Sequence, residues 1–312
     1  MLAQPSSSIL RDARRILFAG CGGGYDILGA VPLLVELMDG QRELHLANLS
    51  FCYLNGLEGA RQNPEHPNLY EIPESAATEA SYCPEAWLAR WVQQRLGLKL
   101  SVWGFDKTGV RPLLAAYRYL ARLLRLDAIV LVDGGIDSLL RGDESSLGTP
   151  AEDLASLAAV NALDVPSKML ACVGLGAESR DGICHAQVFD RIAEIARHDG
   201  YLGSAALVAQ TRAGQLYRDA IEWIFENQAR ERRSHIHRVV LAAMLGGSGA
   251  DGPHIWLSPL LSQYWFFDLG VVARTHLFLD DLLATDTIWE VTARIEGIRK
   301  SISIQGKSKM PI

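Results

Sequence analysis

The acidic residues Asp133, Asp137, Asp143, Glu144, Glu152 and Asp153 crowd one short stretch in which Arg141 is the only base. Carboxylates gathered just past a buried strand need a physical reason, because unpaired buried charge is costly. Three readings meet that need. The group forms an oxygen site for a divalent cation such as Mg2+. Alternatively it holds the hydroxyls or amines of a substrate, with one carboxylate acting as a general base. In the third reading the acids cap helix starts and pair with Arg141.

A second chemical feature is Gly22-Gly23-Gly24, followed by Tyr25 and Asp26. Glycines let backbone approach a ligand closely, and the start of the following helix presents free N–H groups, so a phosphate or carboxylate suits this loop. The plain alternative is a tight strand-to-helix turn with Asp26 as a first-turn acid. The dinucleotide fingerprint is not met. Gly20 and Gly22 have its first spacing, but Tyr25 stands where its third glycine belongs. The next strand ends Ala47-Asn48-Leu49-Ser50, without an acid for a ribose hydroxyl, so NAD is disfavoured.

Other groups fall after other apolar runs. Asp106-Lys107-Thr108-Gly109 follows one, Asp133-Gly134-Gly135-Ile136-Asp137 ends another, and Gly174 to Gly176 leads to Cys184-His185. Adjacent residues rarely face each other, so Cys184-His185 is no ready nucleophile–base pair, but His185 is a candidate proton shuttle. Arg232-Arg233-Ser234-His235-Ile236-His237-Arg238 reads either as an anion contact or as an exposed basic helix start. His235 and His237 fall on different helix faces and do not suggest a shared metal.

These groups need a scaffold, and the hydrophobic pattern describes one. Short apolar runs at residues 15–20, 43–50, 98–105, 127–133 and 168–176 read as strands. Helical periods cover residues 25–38, 110–126, 150–163 and 185–198, with another helix opening at Pro84. This alternation is that of repeated βα units and a mostly parallel sheet. Residues 63–81 are an irregular excursion. Beyond Tyr201 the pattern turns more helical, with helices at 210–228 and 234–245 and two more between 269 and 299. The run Tyr264-Trp265-Phe266-Phe267 reads as packing, and the tail from Gln305 as frayed. In a doubly wound sheet ligands bind outside the carboxyl ends of the strands, where the glycines and acids fall.

Composition narrows the class. With 30 Lys and Arg against 36 Asp and Glu, the net charge of −6 argues against nucleic acid as a partner. Long apolar spans are missing, and residues 1–8 lack a secretory core, so neither a membrane span nor a leader is expected. The 5 cysteines are odd in number and form no CxxC pair, which suggests free thiols in the cytoplasm.

Several phrases together resemble a known family. They are Gly22-Gly23-Gly24-Tyr25-Asp26-Ile27-Leu28-Gly29-Ala30, the phrase from Val132 to Glu144, and Leu147-Gly148-Thr149-Pro150-Ala151-Glu152-Asp153. Gly182-Ile183-Cys184-His185 and Ser258-Pro259-Leu260 with Tyr264-Trp265-Phe266-Phe267-Asp268 add to them. The family is the domain of unknown function numbered 1152, and the resemblance spans nearly the whole chain. It implies one domain and a cytosolic protein, and it brings no established activity. It also implies a further Asp where this chain reads Gly176-Ala177-Glu178-Ser179-Arg180-Asp181, a role that Glu178 or Asp181 would take.

The expected architecture is α/β and Rossmann-like, with helices on both faces of the sheet. One domain spans residues 1–312: a βα core over 1–205, a helix-rich part over 206–304 and a tail. The expected function is an enzyme acting on a small anionic or polyhydroxylated metabolite, such as a nucleotide or sugar phosphate, by hydrolysis or group transfer. The alternative is a non-catalytic binding or sensor module using the same pocket. Asp133, Asp137 and His185 are the catalytic candidates. Gly22, Gly23, Gly24, Asp26 and Lys107 are ligand-binding candidates, joined by Gly134, Gly135, Glu144 and Thr149. No particular cofactor is implied beyond the cation reading, and a homo-oligomer is compatible with the apolar C-terminal helices.

Overall fold

Ala128–Asp133 is buried along its whole length, as a strand must be when helices cover both its faces. It lies near the centre of a nine-stranded sheet in the computed structural model, which describes residues 8–76 and 82–308. Among the described residues the strands are β1 (Arg15–Gly20), β2 (Glu43–Leu49), β3 (Arg61–Gln62), β4 (Leu69–Ile72), β5 (Val102–Phe105), β6 (Ala128–Asp133), β7 (Ser167–Val173), β8 (Tyr201–Ala206), β9 (Gly249–Ala250), β10 (Trp256–Leu257) and β11 (Gln263–Asp268). The sheet order is β3-β4-β5-β2-β1-β6-β7-β11-β8, and β9 and β10 form a separate hairpin.

The five central strands, β5 to β7 in that order, are parallel. Antiparallel strands extend both margins, β4 beside β5 and β11 beside β7. From β1 the chain first winds outward through β2 and β5, then returns to β6 on the other side. The loops after β1 and β6 therefore diverge, leaving a crevice at the carboxyl ends of the strands.

The helices are α1 (Ala30–Leu37), α2 (Pro84–Leu96), α3 (Val110–Leu123), α4 (Pro150–Asn161), α5 (His185–Arg197), α6 (Arg212–Glu226), α7 (His235–Met244), α8 (Leu269–Arg274) and α9 (Ile288–Arg299). Alternate residues of the strands point to opposite cores. Leu17, Ile129 and Leu170 join Leu113 and Tyr117 of α3, Leu157 of α4 and Ile195 of α5. Ile16, Val130 and Ala171 join Leu34 of α1, Trp87 and Trp91 of α2, and Ile221 of α6. Pro84 and Pro150 open α2 and α4, at positions where a missing N–H costs nothing.

The C-terminal third holds helices where they were expected, α6 to α9, and adds a strand that the sequence pattern lacked. Strand β11 leaves that region and inserts between β7 and β8, placing Tyr264 opposite Val173 and Phe267 opposite Leu170. The aromatic run is thus a strand with a core on each face, Tyr264 and Phe266 on one side and Phe267 on the other. Short apolar runs do not distinguish strand from buried helix by periodicity, which is why it escaped the sequence pattern. The irregular excursion holds β3 and β4, and its residues 77–81 lie outside the described ones, as do 1–7 and 309–312. As far as residue 308 the expected frayed tail is held in place, with the Gln305 amide donating to the Asp143 carbonyl at 2.8 Å. Among the described residues no helix is long and apolar enough to cross a membrane.

Candidate functional site

Loops leaving the carboxyl ends of β1, β2, β6 and β7 line a cavity of about 220 Å³, together with the first turns of α4 and α7. The β1 loop brings Gly22, Gly23 and Asp26, and the β2 loop brings Phe51. Asp133, Gly134 and Asp137 come from β6 and its loop, and Glu178, Arg180 and Asp181 from the loop after β7. Thr149 and Asp153 come from α4, His235 and Ile236 from α7.

Four of the carboxylates are fastened by hydrogen bonds from the surrounding loops. The Gly22 amide donates to Asp26 Oδ2 at 2.7 Å. The Ser138 hydroxyl donates to Asp133 Oδ2, the Thr149 amide to Asp137 Oδ2 at 3.0 Å, and the Ile136 amide to Glu178 Oε2 at 2.6 Å. Asp153 is the exception, because its Oδ1 is buried and accepts no hydrogen bond. Oxygens of Asp26, Asp133 and Asp153 all lie within 4.8 Å of one another.

Glycines let the acids converge. A Cβ on Gly22 would stand 2.6 Å from both carboxylate oxygens of Asp153, and one on Gly135 would stand 2.7 Å from Glu178 Oε2. No side chain fits at either distance, so glycine here serves the approach of a carboxylate to backbone.

Burial raises the proton affinity of every acid in the group. Asp26 is pushed up to about 7, chiefly by desolvation, with Asp137 adding repulsion and the Gly22 amide opposing it. Asp133, Asp153 and Glu178 are held well above the usual carboxylate range by desolvation first and by the charge of Asp137 next. Asp137 is also raised by burial, although the Thr149 amide counters it. Among the described residues no lysine or arginine forms an ion pair with these acids, since Arg180 pairs with Asp181 and Lys107 with Glu152. The arrangement favours either shared protons or a bound cation.

The family model described as "Protein of unknown function (DUF1152)" matches residues 88–301. The chain belongs to that family. No curated protein and no solved structure matches it.

The matched stretch of this DUF1152 chain holds Asp133, Asp137, Asp153, Glu178 and His235, whereas Gly22 and Asp26 precede it. Of the residues singled out in the sequence, Gly22, Gly23, Asp26, Asp133, Gly134, Asp137 and Thr149 share the cavity. Gly135 backs Glu178 from behind, and Gly24 packs against the ring of Phe51. Lys107 Nζ lies 3.9 Å over the Phe51 ring and 2.7 Å from Glu152, so it reaches the cavity only through its neighbours. Glu144 is elsewhere, accepting from the Arg141 and Gly142 amides at 2.7 and 2.8 Å as a loop staple.

His185 opens α5 and does not line this cavity. Its Nε2 would lie 3.6 Å from a Cβ on Gly176, and burial lowers its proton affinity. The histidine of the cavity is His235, whose Nε2 is buried without a partner. In the sequence it sat in a basic run whose exposed-helix reading was equally good, and nothing local marked it. The Gly22–Gly24 loop also departs from an anion cradle. The Gly22 amide is taken by Asp26 and the Gly24 amide by the Leu49 carbonyl, and the Asp26 carboxylate faces the same space.

Proposed function

We propose that this chain is a Rossmann-like enzyme acting on a small anionic or polyhydroxylated metabolite at the strand-end cavity, by hydrolysis or group transfer. The observation that supports this best is one cavity of about 220 Å³ shared by six carboxyl groups, Arg180 and His235. Acids and a histidine gathered in one concave site are what general acid–base chemistry needs. The cavity is smaller than the ~300–1,000 Å³ typical of sites for drug-sized ligands, which suits a small metabolite.

In this reading Asp133 and Asp137 face the reacting part of the substrate, and Arg180 at the rim takes the anionic end. His235 replaces His185 as the proton carrier, because its Nε2 is free within the cavity lining. The test is a thermal-shift panel of nucleotides, sugar phosphates, polyols and amino acids, followed by product analysis of any compound that binds. One class is expected to raise the midpoint and to be converted, with both effects lost in Asp137→Asn. A ligand recovered intact supports the sensor alternative, and no shift with any class overturns both.

A further inference from the structure

We infer that Asp26, Asp133 and Asp153 hold a hard divalent cation of the Mg2+, Mn2+ or Ca2+ kind. This deepens the reading of the same cavity, since such a cation would receive the anionic or hydroxyl group of a substrate. The first ground is spacing. Oxygens bound to one Ca2+ at about 2.4 Å lie no further than about 4.8 Å apart, and those on Mg2+ no further than about 4.2 Å. The three carboxylates each place an oxygen within 4.8 Å of the others.

The second ground is independent of clustering. Asp153 is 3 % exposed, yet its Oδ1 is buried and accepts nothing from the protein. Buried carboxylate oxygens find donors in folded proteins, so this one points to a ligand the chain itself does not supply. Its place is built rather than incidental, because only glycine at position 22 leaves room for it. The Gly22 amide and the Ser138 hydroxyl fasten Asp26 and Asp133, as the outer contacts of metal-binding carboxylates do.

Donor chemistry selects the cation. The three residues offer only oxygen, which favours Mg2+, Mn2+ and Ca2+ over Zn2+ or Cu+. The adjacent thiol, Cys21, is buried and donates to the Asp153 carbonyl at 3.6 Å. Asp137 and Glu178 line the same cavity and suit the water ligands such cations retain.

The experiment uses the full chain, stripped with EDTA, dialysed and titrated with Mn2+ by calorimetry and electron paramagnetic resonance. Mg2+ and Ca2+ are followed by thermal shift. Saturable binding near one Mn2+ per chain is expected, with a rise in the unfolding midpoint. Asp153→Asn is expected to stay folded by circular dichroism and to bind Mn2+ at least tenfold more weakly. Should that variant not fold, Asp26→Asn is read the same way. No saturable binding of any of the three cations at millimolar concentration overturns the inference, as does unchanged affinity in the folded variant. Cation binding with no metabolite converted leaves the site standing and counts against the enzymatic reading. Conversion of a metabolite in EDTA by a protein that binds no cation does the reverse.

Discussion

Gly22 and Asp153 stand so close that a Cβ on the glycine would lie 2.6 Å from both carboxylate oxygens. One residue leaves β1 and the other lies in the first turn of α4, so the contact ties two ends of the crevice together. Gly22→Ala must displace either the loop or the carboxylate. We expect a loss of about 1–3 kcal/mol by urea denaturation, as for other overpacked sites. Mn2+ affinity should fall in the same variant. Unchanged stability and unchanged Mn2+ binding would show that the close approach has no consequence.

Asn48 supports the same loop from below. Its side-chain amide donates to the Gly24 carbonyl and to Glu85 Oε1, each at 2.8 Å, and both Asn48 and Glu85 are fully buried. Removing it strands buried acceptors, so Asn48→Ala is expected to cost roughly 3 kcal/mol. Equilibrium denaturation checks this, and a change below about 0.5 kcal/mol would place the partners elsewhere.

His237 gives a pH dependence of defined sign. Its Nε2–H donates to the Tyr25 carbonyl at 2.9 Å, which leaves Nδ1 to accept from the Tyr217 hydroxyl at 2.7 Å. Burial lowers its pKa to about 4. The unfolded chain, with a histidine pKa of about 6.5, therefore takes up the proton first. The contribution of His237 is whole above about pH 6.5 and drains away as pH falls towards 4, by on the order of 3 kcal/mol. The stability difference between wild type and His237→Leu should shrink over that window. A difference that stays constant from pH 7 to 4 would contradict the assignment.

Phe267 tests the placement of β11. It is fully buried against the core that α3, α4 and α5 cover, so Phe267→Ala is expected to cost about 3–5 kcal/mol. In hydrogen exchange the interior amides of β11 should be protected as strongly as those of β7, its ladder partner. Fast exchange in β11 would mean that the sheet ends at β7.

The legible part of this fold was local. The continuous apolar run of β6, Pro84 and Pro150 at their helix starts, and the apolar stripe of α3 each carry their meaning in neighbouring residues. Asp133, Asp137 and Gly22 were legible as strand-end residues for the same reason, since glycine and acid directly after an apolar run signal a strand end, and all three line the cavity. His185 was drawn in by its place after Gly176, but a helix start can face several ways. His235 was passed over because an arginine-flanked histidine looks like solvated surface.

The amino-acid sequence alone determined the repeated βα pattern, the end of the sheet where glycines and acids collect, and the family. Each follows from residues a few positions apart, where hydrophobic period and backbone sterics act. Only the tertiary structure decided that Asp26, Asp133 and Asp153 meet, that Glu144 and His185 do not join them, and that β11 enters the sheet. Those outcomes depend on strand order and on which loops the crossover directs into one crevice. That is a property of how distant segments pack, and short stretches of sequence do not carry it.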